Sequence, residues 1–148
     1  MDLIYLDYNC FQRGFDDPRQ IKIQLEALAC EEIFARAERT NVRLAWSFMH
    51  EDENMLCPFV ERKIEVHRLS ALCEIRVPPD KEIYRLAKGF QLKARVSSKD
   101  ALHLACAQSV RSRLFLTCDD EIIQRARRLN LDMTVINPVE YVREVGKI

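Results

Sequence analysis

The stretch Met1–Phe11, MDLIYLDYNCF, decides how the rest of the chain is read. Leu3–Leu6 is a short continuous apolar run, which suits a strand buried on both faces, and it ends in Asp7 with Asn9 two residues on. No glycine follows to make a plain hairpin turn. A carboxylate driven to the tip of a buried strand needs a reason, and the remaining segments supply one.

Working outward, Ile21, Leu25, Ala29, Ile33 and Ala37 recur at helical spacing, so a long amphipathic helix follows the first strand. Val42–Ser47 is a second strand, and Phe59–Leu72 returns to helical periodicity. Cys73–Val77, before Pro78, has a weaker strand pattern. A helix is expected from Pro79, where proline suits the first turn, and another over SSKDALHLACAQSV with Ser97 or Ser98 as N-cap. Arg113–Thr117 reads as a strand, DEIIQRARRL as a helix, MTVI as a last strand, and Asn137 with Pro138 opens a closing helix.

Short apolar strands alternating with helices imply a three-layer α/β/α fold around a central, mostly parallel sheet. The 148 residues, 48% of them hydrophobic, suit a single domain over 1–148. With 23 basic and 23 acidic residues the formal net charge is zero, so affinity for a polyanion has to come from local patches. No apolar run reaches the roughly 20 residues of a membrane-spanning helix, and no signal peptide is recognisable, so a cytoplasmic protein without a membrane partner is expected. Six cysteines are scattered without a C-x-x-C pair and read as reduced core residues rather than a zinc or disulfide framework.

In parallel sheets functional groups gather beyond the carboxyl ends of the strands. Asp7 falls there. The second strand runs into FMHEDEN, with Glu51, Asp52 and Glu53; the SSKD turn places Asp100 in a first helical turn; and LFLT ends in Cys118, Asp119 and Asp120. Each has a structural explanation when taken singly: Asp100 favours a helix dipole, Asp119 caps a helix, and HEDEN is a solvated turn. Together they point to a hard divalent cation, because clustered carboxylates repel one another unless something positive sits among them.

YLDYNCF, WSFMHEDEN, SSKDALHLACA and FLTCDDEI also resemble, in order and position, the motifs of the PIN-domain ribonucleases, the group that includes the VapC-like toxins of toxin–antitoxin pairs. The similarity runs from about Leu3 to Glu140. The family's four acids match Asp7, Glu53, Asp100 and Asp119, with Asn9 and Thr117 as polar companions; a register shift in HEDEN would substitute Glu51 for Glu53. The resemblance implies an Mg²⁺- or Mn²⁺-dependent endoribonuclease, with Asp7 and Asp100 as principal ligands, an RNA substrate, an antitoxin as partner, and a homodimer formed through helices after the first two strands. Lys93, Arg95 and Lys99 are candidate phosphate contacts, read equally well as a solvated charged face. His103 and Trp46 are read as packing residues, and Arg125, Arg127 and Arg128 as helix surface away from the carboxylates.

Other classes fit less well. A haloacid-dehalogenase-type phosphotransferase needs an acid where Asn9 stands, and a response-regulator receiver needs an acidic pair near the first strand. A housekeeping RNA-processing nuclease and a non-catalytic interaction module on the same fold are the remaining alternatives.

Overall fold

The computed structural model describes residues 1–146. Five strands, β1 (Leu3–Leu6), β2 (Arg43–Ser47), β3 (Cys73–Val77), β4 (Leu114–Leu116) and β5 (Thr134–Ile136), form one sheet in the order β3-β2-β1-β4-β5. Every pairing is parallel. The helices are α1 (Tyr8–Gln12), α2 (Ile21–Glu38), α3 (Phe48–Met55), α4 (Val60–Ser70), α5 (Lys81–Ala94), α6 (Ser98–Ser109), α7 (Asp120–Ala126) and α8 (Pro138–Val145), with a 3-10 turn at Arg13–Phe15.

Side chains alternate across the sheet, as the two-residue period of a strand requires. Leu3, Tyr5, Ala45 and Phe115 face a core built with Ile83, Phe90, Leu104 and Ala105 of α5 and α6. Ile4, Leu6, Leu44, Trp46 and Leu116 face the opposite core, with Phe11, Ile33, Val66 and Tyr141. The expected three-layer α/β/α arrangement is therefore present, and β1 lies at its centre, buried throughout. The weak pattern of Cys73–Val77 has a simple cause: β3 is an edge strand whose interior residues are partly or fully exposed.

Two helices depart from the sequence reading. Tyr8–Gln12 forms α1 directly after β1, with the Asp7 side chain accepting from the Tyr8 N–H. FMHEDENM, read as a turn, is α3. Ser47 caps it, and His50 closes a capping box by accepting the Ser47 N–H at 2.9 Å through Nδ1. The usual capping-box signal is Glu or Gln at that place, so histidine hid the helix start. In α2 the buried face is Glu26, Ala29, Cys30 and Ile33, while Ile21 and Leu25 of the apolar stripe are exposed. The helix caps expected at Ser97 and Asn137 are formed.

This strand order positions the site. From β1 the chain winds outward through β2 and β3, then crosses back to place β4 on the other side of β1. Loops leaving the carboxyl ends of β1 and β4 diverge to opposite faces, and such a switch point leaves a crevice for a ligand.

Candidate active site

Asp7 stands at that crevice. Its N–H donates to the Leu116 carbonyl at 2.8 Å, which continues the β1–β4 ladder by one residue and fixes the backbone. The residue is 6% exposed. Oδ2 accepts from Thr117 Oγ1 at 2.8 Å and from Asn9 Nδ2 at 3.3 Å. Asn9 also reaches Thr117 Oγ1 at 3.3 Å, and its Oδ1 accepts the Cys118 N–H at 3.3 Å, so the tips of β1 and β4 are tied by side chains as well as by backbone.

Burial holds the Asp7 carboxyl above its ordinary range; His103 and the Thr117 hydroxyl pull it back down, and Asp100 and Glu53 repel it further upward. Asp100 is likewise raised, first by burial and then by Asp119, against the lowering influence of Ser97, His103 and Lys99. Carboxylates from four distant segments thus act on one another across the crevice. Asp100 and Asp119 line a small cavity of about 110 Å³ with Ser97 and Arg125. Asp119 Oδ1 also caps α7 by accepting the Glu121 N–H at 2.9 Å.

The α3 helix separates the two candidates in HEDEN. Glu51 accepts from Trp46 Nε1 at 2.7 Å. Glu53 turns instead to α6, where Oε1 meets His103 Nε2 at 2.5 Å and Oε2 lies 3.5 Å from Lys99 Nζ. Of the two, Glu53 is the residue that shares the Asp7 and Asp100 neighbourhood.

Behind Glu53 runs a buried hydrogen-bonded chain that the sequence reading missed. His103 Nδ1 lies 2.6 Å from the Tyr5 hydroxyl, which lies 2.7 Å from Ser47 Oγ. With His103 Nε2–H donating to Glu53, Nδ1 has to accept from Tyr5, so the chain points at the carboxylate. His103 packs in the helix face as expected, but it is also the group that holds Glu53. Only the inward position of Tyr5 in β1 could have signalled this.

Of the candidate phosphate contacts, Lys99 sits at Glu53. Arg95 ends α5 in a left-handed conformation (φ 59°), and its carbonyl accepts from Arg125. Lys93 lines a separate groove with Glu82, Phe90 and Leu129 that contains none of the four acids. Arg125, expected on a remote helix surface, is instead at the cavity of Asp100 and Asp119, because α7 starts at the crevice and is too short to carry it away.

The donor set fits a hard divalent ion: it is all carboxylate oxygen, partly desolvated and mutually repelling. The four carboxylates are nevertheless spread. Among the described residues, the one group of three or more His, Cys, Asp or Glu ligand atoms lying within 4.8 Å of one another is Cys10, Cys30 and Cys118.

Residues 4–129 match the family model of the PIN domain, and the chain belongs to that family. PIN domains are generally nucleases, and PIN-domain nucleases generally use divalent metal ions. Among solved structures, the fold resembles VapBC2 from Rickettsia felis bound to a DNA fragment from their promoter, with a TM-score of 0.61 and 10% identity over 91% of this chain and 98% of that one. No curated protein matches the sequence. Among the described residues, no helix is long and apolar enough to cross a membrane.

Proposed function

We propose that this protein is an Mg²⁺- or Mn²⁺-dependent endoribonuclease and the toxin of a toxin–antitoxin pair, acting in the cytoplasm. The reading is supported by the electrostatic influence that Asp7, Glu53, Asp100 and Asp119, drawn from four segments, exert on one another around the crevice between β1 and β4. Asp7 and Asp100 would be the principal ligands, with Glu53 and Asp119 binding directly or through water. A bound ion would supply an acidified water as nucleophile and stabilise charge on the leaving oxygen. Asn9 and Thr117 orient the Asp7 carboxylate. His103 holds the Glu53 carboxylate towards the crevice. Lys99, Arg95 and Arg125 offer cations for the RNA backbone, with Lys93 further along α5.

The partner assignment is supported by the likeness to a VapBC complex and by an apolar band on α3 and α4. Met55, Leu56, Phe59, Val60 and Ile64 are all exposed, as are Ile21, Leu25 and Leu28 of α2. We assign the α3–α4 band to the antitoxin and the α2 face to a second copy of the chain.

The test is cleavage of a mixed RNA pool with Mn²⁺ and with EDTA, beside calorimetric titration of Mn²⁺ into the wild type, Asp7→Asn and Asp100→Asn. The expected result is EDTA-sensitive cleavage and ion binding that both disappear in the variants. Ion binding unchanged by the substitutions, with no cleavage in any metal, would overturn the reading and leave a non-catalytic PIN fold.

A further inference from the structure

Three cysteines from separate parts of the chain meet on the face of the sheet opposite α6. Cys10 lies in α1, Cys30 in α2, and Cys118 just past β4. All are buried, and their Sγ atoms lie within 4.8 Å of one another. Buried thiols pack as small hydrophobes, and Cys73 and Cys106 do so singly. Convergence of three is a different situation.

The spacing is that of a ligand set slightly opened. Three thiolates bonded to one metal at about 2.3 Å stand about 4.0 Å apart in a trigonal plane, so closure needs movements of under about 1 Å. Small χ1 adjustments supply that. No imidazole or carboxylate joins the group. Zinc in structural sites takes four ligands, whereas a set of three sulfurs suits a softer ion.

We propose that Cys10, Cys30 and Cys118 form a three-thiolate site for a soft cation of the Cu(I) class. The site stands independently of the nuclease reading. Cys10 and Cys30 line a groove of about 670 Å³ with Phe11, Ala27, Phe34 and Leu69, which gives an ion a route in from α2 and α4. The Cys10 thiol donates at 3.4 Å to Asn9 Oδ1 and to the Leu116 carbonyl, and burial holds its proton, so a metal has to displace that proton as it binds. Arg13, paired with Glu26 and Asp16, is also within electrostatic reach of Cys118 and favours its thiolate form.

The site is tested on the full, reduced chain with Cu(I) supplied as its complex with a coloured chelator. The wild type is expected to withdraw one equivalent, as are Cys57→Ala and Cys73→Ala. Cys10→Ala, Cys30→Ala and Cys118→Ala are each expected to withdraw none while keeping the wild-type circular dichroism. Binding that survives Cys30→Ala, or that is lost with Cys57→Ala, would overturn the proposal, as would no uptake by the wild type. Should a triad variant fail to fold, X-ray absorption of the copper-loaded wild type decides: three sulfurs at about 2.3 Å support the site, and two sulfurs or nitrogen and oxygen donors overturn it.

Discussion

Tyr5 and His103 show how much a single atom decides at the residue scale. Removing the Tyr5 hydroxyl leaves His103 Nδ1 and Ser47 Oγ without that partner inside the core. Tyr5→Phe should therefore cost about 1–3 kcal/mol in urea unfolding. On the proposed ligand assignment, His103→Leu should weaken Mn²⁺ binding by about 10–100-fold in calorimetry while the circular dichroism is unchanged, because outer partners orient a ligating carboxylate. Unaltered affinity would reduce His103 to packing.

His50 carries a pH dependence. Its Nδ1 accepts from Ser47 N–H and its Nε2–H donates to the Leu6 carbonyl at 2.7 Å, so the neutral ring fits and a second proton does not. Burial, and then neighbouring His103, hold its pKa well below 6.5. The folded pKa is depressed while the unfolded ring titrates near 6.5, so the unfolded chain takes up protons first. Stability present above that pH should fall as the pH drops, by up to about 1.4 kcal/mol per unit. Thermal melts between pH 7.5 and 5 check this, and His50→Gln should flatten the profile. Tyr5, Trp46 and His103 pack around the ring, and none offers a carboxylate that would rescue the charge.

Among elements, Glu26 does the joining. Buried in α2, it accepts from Arg13 Nε and Nη2 at 3.0 and 2.8 Å and from Asn137 Nδ2 at 2.6 Å, which ties α2 to the 3-10 turn and to the start of α8. Glu26→Ala should destabilise by about 3–5 kcal/mol, since it strands the half-buried Arg13 guanidinium. Denaturant titration measures the loss.

The elements also show what was legible in the sequence. Continuous apolar runs revealed β1, β2 and β4 because both faces of a central parallel strand are covered. Asp7, Asp100 and Asp119 were placed at strand and helix ends by the same pattern. The α3 helix was not, because its cap partner is a histidine and its exposed face carries most of its charges. Glu53 was assigned through the family resemblance, whereas the position of Arg125 and the Tyr5–His103 chain depend on how helices pack across the sheet, and no local pattern encodes that.

For the whole molecule, the exposed apolar band is the feature without an intramolecular purpose. Leu56 is 83% exposed and Ile64 65%. Exposed apolar side chains grouped this closely along the chain suit an interaction surface. Leu56→Lys with Ile64→Lys should leave the melting temperature within about 1–2 °C, because neither side chain supports the core. On the assignment above, the same pair should abolish co-purification with the cognate antitoxin. Retained association would move the interface elsewhere.

The central place of β1 also bears on when the crevice is assembled during synthesis. Asp119 follows Asp7 by 112 positions, a delay of roughly 6–22 s when synthesis runs at about 5–20 residues per second. Until β4 arrives, one side of β1 has no neighbour and Asp7 lacks both the Leu116 carbonyl and the Thr117 hydroxyl that hold it. On the proposed toxin reading, chains that end before β4 would lack an assembled crevice, and an antitoxin made alongside would have that interval to reach the α3–α4 surface, which is complete long before the crevice is.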